Sequence, residues 1–396
     1  MCRKFLYSFI TFLLVVAILE IFSFLFIKLY AKDHYEDIFW YDYEKYIANI
    51  PDSYIEKFRK YSYDKDLGWD VTPNVSRTDT NTAGSSWTQT IDPKGSRHNS
   101  FTGDKTFIST YGDSYTFGHE VNDDETWEYY LSQQTNTNVL NFGVGAFGVE
   151  QSFLKLKRNF GKGIKTPIVI LSIWSGEIHR LHNMYRPFFR KVTGMKLAFK
   201  PIVIKTDEGF KLIENPLQKI NSRQDILGAL HKAMEHDLWF KSRKIKNEFP
   251  YSFRITELVL VILRDQHKLR YNQWKDPETI GKLDYLINLF YNHSQENYYL
   301  PVVVFIPDHT ELKNRRKGFP TSYAEFLKDT IKKYDKKRIF FVDVYEKEFD
   351  ERYFNIKEFG GHTSTYGNQI IAQEIYEAIN KSLAELQRGK DEPVDY

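Results

Sequence analysis

A chain of 396 residues with 42% hydrophobic and 16% aromatic content can bury a full core in one large domain with appendages, so disorder is excluded as its default state. The formal net charge is +3, from 55 basic and 52 acidic side chains. The one dense basic run, Lys313 to Lys317, has the character of a solvated loop, so no nucleic-acid partner is expected. Cys2 is the only cysteine, which rules out an intrachain disulfide.

The first element is the apolar run from Phe5 to Ile27, 23 residues with Glu20 as the only charge. As a helix it would span about 34 Å at roughly 1.5 Å per residue, enough for a bilayer core of about 30 Å. A cleavable signal peptide would have a shorter apolar region, roughly 7 to 15 residues, and a small-x-small cleavage site, whereas KLYAK offers only Ala31. Residues 1–32 are therefore expected to be a short cytoplasmic stub and a retained transmembrane anchor. Arg3 and Lys4 precede the run, while Asp33, Glu36 and Asp37 follow Lys28 and Lys32. The positive-inside rule then puts the bulk of the chain outside the cytoplasm, in the periplasm or at the cell surface. Glu20 is costly in hydrocarbon if charged; it could be neutral, snorkel or pair with a partner helix.

Residues 33–103 read as a turn-rich extension with one short helix around Ser53 to Tyr61 and a hairpin near DLGWDVTPN and QTIDPKGSRHN. From Phe107 onward, nearly continuous apolar runs recur: TFISTYG, NVLNFGV, PIVILSIW, LPVVVFIP and RIFFVDVY. Such runs predict five strands covered on both faces, as in a parallel sheet. Helical segments separate them: DDETWEYYLSQQ, with acidic residues at its start, GVEQSFLKLKRNFG, TSYAEFLKDTIKKY and GNQIIAQEIYEAINKSLAEL. The expected fold is α/β, three layers with a flavodoxin-like strand order and functional loops at the carboxyl ends of the strands. The domain would cover 104–388, with a large insertion at approximately 181–297 between strands three and four, and a polar tail at 389–396. The insertion contains FKPIVIKTDEGFKLIENP, two extended runs about a turn, and then two or three helices from Asp225 to Asn297. It could be a lid, a partner surface or extra structural cover.

Ser114 falls directly after the first strand and before its helix, and His362 falls after the last strand and before the last helix. Both loops would open on one sheet edge, so residues 248 apart could meet. A serine needs a base to take its proton, for which a neutral imidazole is suited. NFGVGAFG, after the second strand, could supply backbone N–H groups to an oxyanion. No histidine spacing suggests a metal site, and no cofactor is expected.

The ordered blocks YGDSYTFG, LNFGVGAFGVEQ, VILSIWSGEIHR and GGHTSTYGN resemble the GDSL/SGNH hydrolases, which are esterases and acyl-transfer enzymes with a flavodoxin-like sheet. The resemblance covers roughly residues 104 to 180 and 300 to 385. It is strongest to the larger membrane-anchored members associated with bacterial surface polysaccharides. It implies Ser114 as nucleophile, His362 as general base, and the backbone N–H groups of Ser114, Gly145 and Ala146 as oxyanion donors. Ala146 stands where the family has glycine, which requires alanine to adopt the same φ.

Two further positions depart from the family. The third block normally reads Gly-x-Asn-Asp; here Gly176 and Glu177 occupy it, so the Asn side-chain donor is missing at Gly176. Losing one oxyanion donor typically costs about 10² to 10³ in rate; His179 or a backbone amide could substitute. The acid that orients the histidine usually lies three residues before it, where this chain has Phe359. Glu358 is the nearest acid, with Asp343 and Asp350 further back, and a Ser-His dyad is the alternative. What the resemblance implies is a membrane-tethered serine esterase or O-acyltransferase acting on acyl esters, O-acetyl foremost, of surface glycans, alone or with a membrane acyl-transfer partner. The alternative is a catalytically silent SGNH-fold protein that binds glycan or an assembly partner.

Overall fold

The computed structural model describes residues 2–31, 39–80, 84–189, 194–242, 245–261, 263, 273–344, 351–356 and 360–391. They fall into two units. One comprises Met1–Glu56, His182–Phe199 and Pro216–Gln273; the other comprises Lys57–Leu181, Lys200–Asn215 and Trp274–Tyr396.

The first unit opens with α1 (Cys2–Phe26), and Arg3–Ala31 is long and apolar enough to cross a membrane. Helices Arg223–His236, Leu238–Lys241 and Tyr251–Val261 also belong to this unit. Buried Asp237 organises part of it: Oδ1 accepts from Trp239 N, and Oδ2 from Tyr185 N and Asn183 Nδ2. Burial pushes its carboxyl up to about 6.

The second unit contains the sheet, built from β1 (Thr106–Tyr111), β2 (Asn138–Asn141), β3 (Ile168–Trp174), β4 (Leu300–Ile306) and β5 (Phe340–Asp343). All five expected strands form, and they are parallel in the order β2-β1-β3-β4-β5. Helices α2 (Trp127–Thr135), α3 (Val149–Gly161), α4 (Pro277–Asn297), α5 (Ala324–Tyr334) and α6 (Thr365–Asp391) accompany them. Val302, Val304 and Ile306 of β4 share a core with Trp127 and Leu131 of α2 and Ile371 and Ile375 of α6. Val303 and Phe305 share the opposite core with Leu156 of α3, Leu286 and Phe290 of α4, and Leu327 of α5. Burial on both faces is why these strands read as unbroken apolar runs instead of alternating ones.

Two local readings are corrected and one is completed. The acidic run before α2 is not its first turn: the helix begins at Trp127, capped by the Thr126 hydroxyl, which accepts from Tyr129 N at 3.2 Å. Asp123 turns back to Arg97 at 3.0 Å. From Arg223 to Asn297 there are four α-helices among the described residues, not two or three. The extended runs of the insertion form an antiparallel hairpin, Ile202–Thr206 with Gly209–Ile213, and a second hairpin pairs Val75–Thr80 with Ser86–Ile91.

Candidate active site

β1 ends at Tyr111, and after Gly112 and Asp113 the chain enters a single helical turn, Ser114–Phe117, closed by Gly118 at φ +76°. Asp113 caps this turn, its Oδ1 accepting from Tyr115 N at 2.9 Å. A Cβ on Gly112 would stand 2.0 Å from Thr116 Oγ1, so only glycine fits under the turn. Ser114 is thereby presented at the carboxyl edge of β1, buried.

The loop after β2 lies directly against this turn. Asn141 Nδ2 donates to Thr116 O at 2.7 Å, and its Oδ1 accepts from Gly143 N at 2.9 Å. A Cβ on Gly143 would stand 2.3 Å from Phe117 N, so the two backbones approach as closely as they do only because residue 143 has no side chain. Trp69 Nε1 donates to Gly145 O at 3.0 Å and fixes the next residues. Ala146 has φ +65°, the left-handed conformation that glycine adopts more readily. Among the described residues nothing accepts from the backbone N–H of Ser114, Gly145 or Ala146.

His362 sits on a short strand, Gly360–Thr363, paired antiparallel with Phe354–Ile356. This hairpin is tied to the Ser114 loop. Tyr115 Oη donates to Gly361 O at 3.3 Å, and Asn355 Nδ2 donates to Glu120 O at 3.0 Å. The His362 ring lies 5.1 Å from that of Tyr115 and 5.3 Å from that of His119, centroid to centroid. The structure thus brings the His362 segment to the serine turn.

The acid facing His362 is one that the sequence pattern did not single out. Glu120 Oε2 accepts the His362 backbone N–H at 3.0 Å, and Oε1 stands 3.5 Å from the ring Nδ1. The His362 ring first, then its backbone N–H and charge, hold the Glu120 carboxyl down at about 2 despite partial burial. Glu120 has φ +70°, an uncommon conformation for a residue with a Cβ. Glu358, Phe359 and Asp350 lie outside the described residues; Asp343 accepts from Tyr323 Oη at 2.8 Å.

Gly176 has no side chain to offer, and its space is taken: a Cβ there would stand 2.4 Å from Trp174 Cη2. The Trp174 indole stacks on Tyr115, centroids 4.8 Å apart and planes at 13°, and the Arg180 guanidinium lies 5.3 Å from its ring. Its Nε1–H is buried and has no acceptor among the described residues. Arg180 Nη1 pairs with Asp113 Oδ2 at 2.9 Å and lies 3.6 Å from Glu177 Oε2. Burial first, then the charge of Asp113, raises the Glu177 carboxyl well above the usual carboxylate range, and the Arg180 charge opposes them.

Two other side chains escaped the sequence reading. Arg97, buried, donates to Phe117 O at 2.8 Å and Val121 O at 2.6 Å, and also to Gly118 O; it holds the carbonyls of the loop that ends in Glu120. His119 is half-buried on the same loop. Burial, then the neighbouring His362 and Arg97 charges, pushes it down to about 3, and a Cβ on Gly145 would stand 2.8 Å from its Nε2. Side-chain types forecast neither contact, because both join segments distant in sequence. Among the described residues no group of His, Cys, Asp or Glu is arranged to hold a metal.

No family model and no curated protein matches this chain. Solved structures are similar to it. A member of the lipolytic protein G-D-S-L family from Veillonella parvula is 10% identical, with 70% of this chain and 99% of that one covered at a TM-score of 0.33. A family 3 carbohydrate esterase from Clostridium thermocellum is 13% identical, covering 71% and 99% at 0.36. A catalytic mutant of an acetylxylan esterase from Geobacillus stearothermophilus is 11% identical, covering 70% and 94% at 0.36. The functional reading rests on the site itself.

Proposed function

We propose that this chain is a membrane-tethered, extracytoplasmic serine esterase of the SGNH type, in which Ser114 attacks an acyl ester and His362 is the general base. The observation that carries the reading is the position of Glu120: a carboxylate from the nucleophile's own loop takes the His362 backbone N–H and stands 3.5 Å from its ring Nδ1. With Nδ1 on the carboxylate side, Nε2 is left to take the Ser114 proton, and ionised Glu120 stabilises the imidazolium that results.

In the proposed reaction Ser114 Oγ bonds to the ester carbonyl carbon while its proton passes to His362. The oxyanion is received by the backbone N–H groups of Ser114, Gly145 and Ala146. The Trp174 indole N–H is the proposed donor in place of the side chain missing at Gly176. A buried N–H without an acceptor costs roughly 1–3 kcal/mol, which an oxyanion would offset in the transition state. Collapse expels the alcohol, which takes the proton from His362. Water, deprotonated by His362, then attacks the acyl carbon, and the bond to Ser114 Oγ breaks as His362 returns the proton to Oγ; a sugar hydroxyl in place of water would give transfer. Surface glycans bearing O-acetyl esters are the proposed substrate class, on the resemblance of the four motif blocks.

Retention of α1 as an anchor is supported by its contacts with the folded chain, since Glu20 accepts from Tyr251 N at 2.6 Å. The test is to incubate the full-length protein in detergent with p-nitrophenyl acetate and a fluorophosphonate probe. An acetate burst and labelling that disappears in Ser114→Ala are expected. Neither appearing would support instead the catalytically silent binding protein, for which the missing side chain at Gly176 is the argument.

A further inference from the structure

One face of α1 is covered and the rest is bare. Ser23 of α1 is buried, as are Ile27 and Ala31 of the π-helical segment Ile27–Ala31 that continues it, and the latter two share a core with Phe39, Ile245 and, from the helix Tyr251–Val261, Leu258. Leu258 shares the core of Ile27 and Ala31, and Tyr251, Ile255 and Val261 pack against it. The Phe24 and Tyr251 rings meet edge-on at 5.0 Å. The second helix therefore runs beside the outer end of α1.

Its start is fixed by Glu20. The Glu20 carboxylate accepts from the backbone N–H of Tyr251 at 2.6 Å and of Ser252 at 3.2 Å, and from the Ser252 hydroxyl. Those N–H groups belong to a first helical turn, which has no intrahelical acceptors. Glu20 lies seven residues before Ile27, the end of the apolar run, so about 10 Å inside the span at roughly 1.5 Å per residue. At that depth no water is present to satisfy a helix terminus, and an unpaired carboxyl is costly too. Each group meets the other's need.

The outward side of the second helix is apolar. Phe249 is 69% exposed and Leu263 75%, with Phe253, Val259 and Leu260 also exposed. Arg254 is paired, with Glu257 at 2.8 Å and with Glu248 at 3.2 Å, and Lys246 ahead of the turn is exposed. This surface continues the bare side of α1, where Phe22 is 69% exposed. Contiguous apolar area of this kind is unusual facing water. We propose that the Tyr251–Val261 helix and the Phe249 turn leading into it are embedded in the outer lipid leaflet beside α1, a second membrane contact in addition to the anchor. Acyl chains are the occupant that fits, because the face is continuous with α1 and its N-terminus lies at the depth of Glu20. The proposal rests on α1 being a retained anchor.

Nitroxide labels read both depths separately. In a Cys2→Ser background, Phe249→Cys, Phe253→Cys and Leu260→Cys would each be labelled in the full-length protein in phosphatidylcholine vesicles. Phe22→Cys serves as the bilayer reference and Lys232→Cys as the aqueous one. All three test labels should collide with oxygen and lose collisions with a water-soluble nickel chelate, as Phe22→Cys does. If they collide with the chelate as Lys232→Cys does while Phe22→Cys is shielded, the anchor stands and the proposal falls. If Phe22→Cys itself meets the chelate, the anchor reading fails, and the proposal with it. Test labels exposed in vesicles but shielded in native membranes would assign the face to a protein partner and overturn the lipid assignment.

Discussion

Glu120 and His362 are 242 positions apart, yet the carboxylate takes the histidine's backbone N–H at 3.0 Å and faces its Nδ1 at 3.5 Å. If this pair orients the base, Glu120→Gln should lower kcat for p-nitrophenyl acetate by about 10² to 10⁴ with KM little changed. Glu358→Gln, at the acid nearest His362 in sequence, should leave kcat near its normal value. The reverse pattern would return the orienting role to Glu358.

The same pair makes a stability prediction with a defined sign. Glu120 is held down at about 2 from an ordinary value of 4.5, so its stabilising contribution is complete above about pH 4.5 and drains away as pH falls towards 2. Urea unfolding between pH 5 and 2, pH values set by that interval, should give a shallower loss of stability for Glu120→Gln than for the natural chain. Parallel slopes would show that the pair is not formed in solution.

Trp174→Phe tests the proposed indole donor without removing the ring stacked on Tyr115. Deacetylation should slow by about 10²-fold, the typical cost of one oxyanion donor, with the circular dichroism spectrum retained. An unchanged kcat would exclude the indole N–H from the reaction.

Ala146 at φ +65° bears the roughly 1–2 kcal/mol cost of a left-handed L-residue. Ala146→Gly should keep activity and hold or raise the melting temperature. Ala146→Val, branched at Cβ, should lower both. A melting temperature that falls in the glycine variant and holds in the valine one would mean that the turn is not left-handed in solution.

Lys200 and Glu150 form a fully buried ion pair. Lys200→Met alone should destabilise by about 3–5 kcal/mol, since it strands a buried carboxylate. Adding Glu150→Leu should recover most of that loss in chemical denaturation. Simple additivity of the two would show the pair uncoupled.

The five strands were legible because burial on both faces leaves each an unbroken apolar run, and their parallel direction followed from alternation with helices. The turn at Ser114 and the glycines around it were legible too, because each is a property of a few adjacent residues, whereas the demand on φ at residue 146 came from the resemblance. The start of α2 was misread for want of one distant partner: Asp123 turns back to Arg97, and Thr126 makes the cap. The carboxylate at His362, the indole filling the space at Gly176, and the second helix paired with Glu20 were decided only in three dimensions. Local pattern determines which segments become strand, turn or helix, since backbone conformation answers to neighbours. Which acid meets which base is set by how those segments pack, and nothing along the chain marks Glu120 for His362 or Glu20 for Tyr251.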